Sequence, residues 1–327
     1  MNKNIFFSLL ILLVLFCVSC KKDSALVVAD PFDHEAQIPI DKELLDEYLS
    51  SHYYNTNDGL IWTIGSNGGD GIEEPLIDDK NLNSIEGIEY NGTVATYTMY
   101  YYTENEGSGS GKEGYSRPSP VDSVFVRYSG MLLDSTVFDA KEDYPIWFQL
   151  SNTIQGWGRG VSKFKRGSFK ENDSIADDYE FVNPGKGYLF IPSGLGYQNL
   201  GSGIIPPNAP LVFRIELDDV KLIDTDLDLV PTKFEMLIDK AGNITTYDTD
   251  GDSRDDFEDV DDDNDFTLTK DEVIDQYGSP YSCSDDPSDP NYCENSRVEV
   301  EFIFDKDGDV DGVITNPNYK NSEVNLE

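Results

Sequence analysis

The clearest hydrophobic pattern in the chain lies in residues 203–217, which read GIIPPNAPLVFRIEL. Phe213, Ile215 and Leu217 occupy every second position, which predicts a β-strand with these side chains against a core. The intervening side chains, Val212 among them, are predicted to face solvent. Two adjacent prolines before the strand fix their own φ angles and push the preceding residues out of the helical region, so they predict a rigid bend.

Runs of β-branched and aromatic residues predict five further strands, separated by polar or glycine-rich loops. The strands are predicted at residues 60–64, 94–102, 121–133, 146–150 and 187–192. Loops are predicted at residues 65–83, 168–186 and 193–202, and the sequence GSGSG at residues 107–111 indicates a flexible connector or a hairpin tip.

Two short segments have the period of an amphipathic helix. Asp41 is predicted to cap a helix over residues 42–51, in which Leu44 faces Tyr48. A second helix is predicted over residues 158–165, with Val161 and Phe164 facing the sheet. The pattern as a whole therefore predicts several strands and few helices.

The first residues have the pattern of a targeting signal. Lys3 precedes an apolar run at residues 5–18, which is shorter than a bilayer span and has the proportions of a signal peptide. Ser19 and Cys20, followed by two lysines, resemble a bacterial lipoprotein processing site, which implies removal of residues 1–19 and lipidation of Cys20. The alternative is an uncleaved anchor helix. Either way the folded part is expected outside the cytoplasm, held at a bacterial membrane, for which we favour the outer membrane.

Cys283 and Cys293 lie in a segment rich in serine, aspartate and proline, separated by nine residues. An oxidising compartment favours a local disulfide between them, and metal ligation by two isolated cysteines is the weaker alternative.

The net charge of −39, from 63 acidic and 24 basic residues, argues against nucleic acid and anionic membrane surfaces as partners, because both repel such a surface. It favours cations. Much of the excess is explained by solubility alone, but the acids concentrate in the last hundred residues, which solubility does not require.

Four segments, in order and at matching spacing, resemble an FKBP-type peptidyl-prolyl cis-trans isomerase. They are VRYSGMLLDSTVFDA, IQGWGRGVSKFKRG, LFIPSGLGY and GIIPPNAPLVFRIELDDV, and they cover about residues 122–222. The resemblance implies an α+β fold, with an antiparallel half-barrel sheet wrapped on one short helix. It also implies a dry aromatic pocket that binds proline-containing client polypeptides. The layout is also similar to FKBP-type lipoproteins of Bacteroidetes-like bacteria.

Carried over by position, the resemblance implies nine pocket residues. Trp157 is implied as the floor, Tyr197 as the hydroxyl donor to the substrate carbonyl, and Ile154 as a backbone N–H donor. The complete set is Tyr128, Phe138, Asp139, Phe148, Ile154, Trp157, Tyr197, Ile205 and Phe213. Each aromatic residue also has the alternative of an ordinary core position, which we favour for Phe148 taken alone.

Two features depart from the family pattern. Gln198 follows Tyr197 where the family usually has glycine, and the loop to Ile204 is about a residue short. No catalytic cofactor is expected, because rotation about an amide needs neither a nucleophile nor a metal. The two histidines, His34 and His52, lie in the leader region, which argues against a Ser-His-Asp or Cys-His catalytic group.

The acidic segment YDTDGDSRDDFEDVDDDNDFTLTKDEV, which begins at Tyr247, resembles a thrombospondin type 3 or EF-hand-like calcium repeat. Carboxylates at loop positions one, three, five and twelve are the ligands that calcium takes in such loops. Two sets have that spacing: Asp248, Asp250, Asp252 and Asp259, and then Asp261, Asp263, Asp265 and Glu272. Asp305, Asp307, Asp309 and Asp311 form a third candidate set. The alternative is a solvated acidic linker.

These interpretations divide the chain into a signal peptide (1–19), a tether (20–40), an N-terminal helix with strands (41–112), an isomerase domain (113–223) and an acidic calcium-binding-like region (224–327). The function that follows is isomerisation of Xaa-Pro bonds in extracytoplasmic proteins. The alternative is a non-catalytic FKBP-like binding module in a calcium-stabilised surface assembly. The oligomeric state is left open.

Overall fold

The computed structural model describes residues 32–67, 69–90, 96–109, 116–171, 179–264 and 266–272. The predicted signal peptide with Cys20, the predicted ligand Asp265, the cysteine pair and the candidate calcium set at residues 305–311 lie outside the described residues. No helix in the described part of the chain is long and apolar enough to span a membrane.

A six-stranded antiparallel sheet in the order β3-β4-β9-β10-β5-β6 is the centre of the fold. Its strands are β3 (Leu82–Glu89), β4 (Thr96–Asn105), β5 (Ser123–Leu132), β6 (Val137–Gln149), β9 (Gly185–Ile191) and β10 (Leu211–Lys221). The helices are α1 (His34–Ser51), α2 (Gln155–Val161) and α3 (Thr269–Glu272). Three small hairpins complete it: β1 (His52–Asn55) with β2 (Leu60–Thr63), β7 (Ser168–Glu171) with β8 (Tyr179–Val182), and β11 (Met236–Ile238) with β12 (Ile244–Thr246). The predicted α+β class is confirmed.

Strand β10 is covered on both faces around Val212, which explains one error in the predicted pattern. Phe213, Ile215 and Leu217 of β10 lie in the core that contains α2, as their alternation predicts. Val212 was predicted to face solvent, but it is fully buried in a second core beneath α1. A strand covered on both faces has no solvent side for its apolar residues to avoid.

Helix α1 begins at His34, within the predicted tether, and not at Lys42. Asp33 caps it by accepting a hydrogen bond from the Ala36 N–H at 3.0 Å. Pro39 lies inside the helix at an exposed position, where water can satisfy the carbonyl that loses its hydrogen bond. The proline and the early start explain why the sequence pattern places the helix too late.

Asp41 is consequently not a helix cap. Its fully buried carboxylate accepts hydrogen bonds from the backbone N–H and the hydroxyl of Ser193, both at 2.7 Å, and from Gln37 at 2.8 Å. Burial raises the pKa of Asp41, and these hydrogen bonds offset part of the shift. Helix α1 is thereby tied to the segment 193–195, directly before the loop that contains Tyr197.

The predicted division at residue 112 does not coincide with a division of the sheet. Strands β3 and β4, from the predicted N-terminal region, pair with each other and with β9. Strand β3 shares only Leu82 and Asn83 with the predicted loop at residues 65–83. The β7–β8 hairpin lies where residues 168–186 were expected to be irregular. Strand β6 is longer than predicted, whereas α2 begins and ends earlier than residues 158–165.

The beginning of the acidic region also packs on this fold. Ala241, in the β11–β12 turn, belongs to the core that contains α2. Asn243 accepts from the Glu89 N–H at 2.8 Å and donates to the Gly87 carbonyl at 2.9 Å. Residues 236–246 are therefore attached to β3 and do not form a solvated linker.

We predict that Asp41→Ala destabilises the protein by about 1–3 kcal/mol, because it leaves buried donors of Ser193 without an acceptor. Urea unfolding followed by circular dichroism measures the change. Glu43→Ala, at an exposed position of the same helix, is the matched control and should change stability by less than about 0.5 kcal/mol. Equal effects of the two substitutions would contradict the importance of this buried contact.

Candidate functional site

Helix α2 lies close to the sheet because two of its three glycines, Gly156 and Gly160, face the sheet. A Cβ atom on Gly156 would stand 2.3 Å from Cγ2 of Ile191, and one on Gly160 would stand 2.7 Å from both Cδ atoms of Leu189. Real Cβ atoms essentially never approach so closely. Gly156 and Gly160 are therefore needed to bring Trp157, in the first turn of α2, onto the sheet.

Trp157 is 4% exposed and is surrounded by aromatic rings that meet it edge to face. Its ring centroid lies 5.3 Å from Tyr128, 5.4 Å from Phe148 and 5.5 Å from Phe213. Phe138 extends the group, 5.5 Å from Phe213 at an interplanar angle of 83°. This geometry is the favoured one for aromatic pairs. We call the five residues the aromatic pocket.

Because Gly130 on β5 has no side chain, two rings of the aromatic pocket fill the space beside it. A Cβ atom there would lie 2.6 Å from Phe138 and 2.7 Å from Phe213. Gly130 pairs with Asp139 across the β5–β6 ladder, next to an irregularity in its register. The two rings can approach each other only because β5 has no side chain at this position.

One side of the aromatic pocket has polar groups. The Tyr128 hydroxyl donates to the Asp139 carboxylate at 2.6 Å. Burial first, and the Asp139 charge second, raise the pKa of the Tyr197 hydroxyl. The pKa of Tyr128 is also raised, by burial and then by its hydrogen bond to Asp139. Both tyrosines are therefore neutral hydrogen-bond donors at ordinary pH.

Two donors beside the aromatic pocket are available to a ligand. In the described part of the chain, the Tyr197 hydroxyl has no hydrogen-bond partner, and none of the hydrogen bonds uses the Ile154 N–H. Both residues pack against the core that contains Trp157. Ile205 is buried in the same core, whereas Ile204 is 60% exposed.

The structure thus gathers the nine predicted pocket residues. Eight of them belong to or pack against one core, and the ninth, Asp139, is bonded to Tyr128. That they form the functional site stays a prediction. His34 and His52 lie elsewhere, in contact with Tyr97 and Tyr48 respectively.

Gln198 lies in the left-handed region with φ of 53°, the conformation that glycine adopts without strain. Its N–H donates to the Ser193 carbonyl at 2.9 Å, and its carbonyl accepts from Asn208 at 2.7 Å. The position keeps the backbone geometry that glycine would provide although this chain has glutamine. Glutamine at position 198, where the family usually has glycine, therefore introduces local backbone strain beside Tyr197.

In the acidic segment, the structure brings together carboxylate oxygens of Asp248, Asp250 and Asp252, within 4.8 Å of one another at exposed positions. Asp259 instead pairs with Arg254 at 3.3 Å. Asp261 accepts from the Phe266 N–H at 3.2 Å. Nothing is described of the Glu272 side chain, and calcium binding by these residues stays a prediction.

Sequence reasoning missed a second group of carboxylates. Asp226, Asp228, Glu235 and Asp262 place oxygens within 4.8 Å of one another, and the last three are buried. Asp224 precedes this group, and the spacing of Asp224, Asp226, Asp228 and Glu235 is the same one-three-five-twelve pattern. The pattern is visible in the sequence, but it lies ahead of the acidic segment that was predicted to bind calcium.

Comparison with known proteins gives one matching family. The sequence model of the FKBP-type peptidyl-prolyl cis-trans isomerases matches residues 114–177. The chain is 37% identical over 154 residues to the FKBP-type peptidyl-prolyl cis-trans isomerase FkpA of Escherichia coli strain K12, a match that covers 44% of this chain and 48% of FkpA.

Two further relatives match over shorter regions. The peptidyl-prolyl cis-trans isomerase FPR2 of Saccharomyces cerevisiae is 41% identical over 108 residues, which cover 31% of this chain and 67% of FPR2. The outer membrane protein MIP of Legionella longbeachae is 34% identical over 110 residues, which cover 32% of this chain and 40% of MIP. The chain thus spans less than half the length of the two bacterial relatives.

We predict that Gly130→Ala destabilises the protein by about 1–3 kcal/mol and displaces Phe138 and Phe213, because the added methyl group has no space. Thermal unfolding and the near-ultraviolet circular dichroism of the aromatic residues measure both effects. Gly158→Ala is the matched control, since its Cβ would lie 3.4 Å from Pro120, an ordinary contact. An unchanged near-ultraviolet spectrum for Gly130→Ala would contradict the close packing described.

Proposed function

We infer that the chain, which belongs to the family of FKBP-type peptidyl-prolyl cis-trans isomerases, accelerates rotation about Xaa-Pro bonds of polypeptides. The inference rests on the geometry of the aromatic pocket, in which three rings enclose Trp157 edge to face. The family is shown by sequence, and the assignment of the activity to this pocket is our proposal.

The reaction needs no bond to be made or broken. The amide resists rotation because resonance stabilises its planar form, with a barrier of about 18–20 kcal/mol. The twisted transition state has lost that conjugation and is less polar than the planar amide. A dry, apolar site therefore favours the twisted form over the planar one, which lowers the barrier.

The aromatic pocket has the properties that this chemistry requires. The proline ring would rest on the face of Trp157, with Phe138 and Phe213 at its sides, in surroundings that exclude water. The free Tyr197 hydroxyl would donate to a carbonyl of the substrate as the amide rotates, and the Ile154 N–H would hold the chain beyond the proline. The Tyr128–Asp139 hydrogen bond would fix the polar side of the pocket.

We further propose that the protein acts outside the cytoplasm, lipid-anchored through Cys20. Support comes from the signal-like pattern of residues 1–20 and from similarity to a Legionella relative named an outer membrane protein. Its clients would then be proline-containing polypeptides that fold after export. Slow proline isomerisation limits the folding of many such chains, and the proposed activity removes that limit.

We predict that the full chain accelerates isomerisation of an Xaa-Pro peptide in a protease-coupled assay, and that Tyr197→Phe lowers kcat/KM by about threefold to tenfold. That range corresponds to one lost hydrogen bond of about 0.5–1.5 kcal/mol. Trp157→Leu should lower kcat/KM further, because it removes the surface on which the proline rests. Circular dichroism checks that each variant is folded.

Tyr144→Phe is the matched control, since Tyr144 lies on β6 and is 80% exposed. It should leave kcat/KM unchanged. A wild-type rate equal to the uncatalysed rate would support the alternative of a non-catalytic binding module. A wild-type rate that neither Tyr197→Phe nor Trp157→Leu lowers would place the activity elsewhere in the chain.

We also predict that kcat/KM is flat between about pH 6 and pH 9. The pKa values of Tyr128 and Tyr197 are both raised, so the hydroxyls keep their protons throughout this interval. The proposed mechanism transfers no proton. A bell-shaped profile within this range, measured with a substrate that does not itself titrate, would contradict it.

A further inference from the structure

Four carboxylates meet where the chain leaves the last strand of the sheet. They are Asp226, Asp228 and Glu235, which follow β10, and Asp262, which comes from the acidic segment. Their oxygens lie within 4.8 Å of one another, and we call them the carboxylate cluster. None of the four was among the calcium ligands predicted from the sequence.

The buried members of the carboxylate cluster have oxygens without partners. Glu235 is 0% exposed and Asp262 is 3% exposed. In the described part of the chain, neither oxygen of either side chain has a hydrogen-bond partner, and the same is true of Oδ2 of Asp228. Buried carboxylates in proteins are ordinarily paired or bound to a metal, because the uncompensated charge is very costly.

The charges around the carboxylate cluster make the absence of a partner more costly. Burial, and then the charges of Asp228, Asp226 and Asp262, raise the pKa of Glu235 to about 11. Asp262 is affected by burial and by neighbouring acids in the same way, and its pKa is raised to about 9. Each of the charged groups that shift these two residues is itself acidic. None of the ion pairs in the described part of the chain includes a member of the carboxylate cluster.

The backbone around the carboxylate cluster has the form of a cation-binding loop. Asp224 accepts from the N–H groups of Leu227 at 2.8 Å and Leu229 at 3.1 Å. Both leucines are held at positive φ, 69° and 81°, conformations that favour glycine. Leu229 occupies the sixth position counted from Asp224, where calcium loops of this spacing turn sharply and usually have glycine.

The same arrangement recurs one loop later. Asp248 accepts from the N–H groups of Gly251 at 2.8 Å and Ser253 at 3.1 Å, and these residues have φ of 77° and 81°. The loop at residues 248–253 exposes its carboxylates to solvent, however, whereas the loop at residues 224–229 directs them into a buried cluster with Glu235 and Asp262. Burial of the carboxylates therefore makes the loop at residues 224–229, and not the one at residues 248–253, the candidate cation site.

We propose that the carboxylate cluster is a binding site for Ca²⁺. A hard cation matches the donors, which are oxygens only, and a divalent ion supplies the missing charge. Four carboxylates that can bind through one or two oxygens each suit the six to eight ligands of Ca²⁺. Mg²⁺ fits less well, because it demands near-ideal octahedral geometry and usually retains several waters, whereas Ca²⁺ accepts flexible sets of carboxylates.

A cation at this position joins two parts of the chain. Asp226 and Asp228 follow β10 directly, and the Ile223 N–H just before them contacts Asp122 of the isomerase domain at 3.4 Å. Asp262 lies 27 residues beyond Glu235. Calcium would therefore fasten the acidic segment to the exit of the isomerase domain, so the two would move together when the ion is bound.

Glu235→Gln in the full chain tests the proposal, because calcium reverses the sign of its effect. In EDTA the substitution removes an acidic group that is buried among other acids without a hydrogen-bond partner, and it should raise the melting temperature above that of the wild type. In millimolar CaCl₂ it removes a ligand and should lower the melting temperature below that of the wild type. Calorimetric titration should show one Ca²⁺ site lost or weakened by about tenfold or more.

Glu258→Gln, an exposed carboxylate in the same acidic segment, is the matched control and should show no reversal. Asp250→Asn removes a carboxylate from the exposed loop and should retain the calcium-dependent rise that depends on Glu235. Equal destabilisation by Glu235→Gln with and without calcium would show a purely structural function and overturn the proposal. The proposal would also be overturned if calcium did not raise the melting temperature of the wild type. A rise with MgCl₂ but not with CaCl₂ would reject Ca²⁺ as the ligand.

Discussion

The close contact between helix α2 and the sheet is the constraint on which the candidate site depends. Gly156 and Gly160 leave no side chains between the helix and Ile191 and Leu189, so the helix lies almost directly on strand β9. Trp157, between the two glycines, is then brought within ring contact of the aromatic residues on β5, β6 and β10. A larger residue at either glycine would lift the helix and open the aromatic pocket.

The opposite face of the sheet supports the same site. Helix α1 covers a second core there, and its Asp41 holds the Ser193 backbone through buried hydrogen bonds. Ser193 in turn accepts from the N–H of Gln198, next to Tyr197. The loop that presents the Tyr197 hydroxyl is thus fixed from a helix on the other side of the sheet, and the N-terminal region contributes to the precision of the pocket.

The sequence predicted the parts of the fold that depend on local pattern. Alternation identified β5 and β10, and the motifs around Trp157 and Tyr197 indicated which side chains would converge. It failed where long-range contacts decide: Val212 is buried only because α1 covers its face, and Asp41 resembles a cap until its partner Ser193 is known. The carboxylate cluster shows the same limit, since Asp262 joins Glu235 only through the folded path of the chain.

We propose that a dry aromatic pocket around Trp157 lowers the barrier to rotation about an Xaa-Pro bond. Exchange spectroscopy by NMR on a short Xaa-Pro peptide, with a catalytic amount of the full chain, tests it without a coupling protease. We expect cis-to-trans exchange cross-peaks at sub-second mixing times, far shorter than the tens of seconds of the uncatalysed reaction. An exchange rate identical with and without the protein would contradict it.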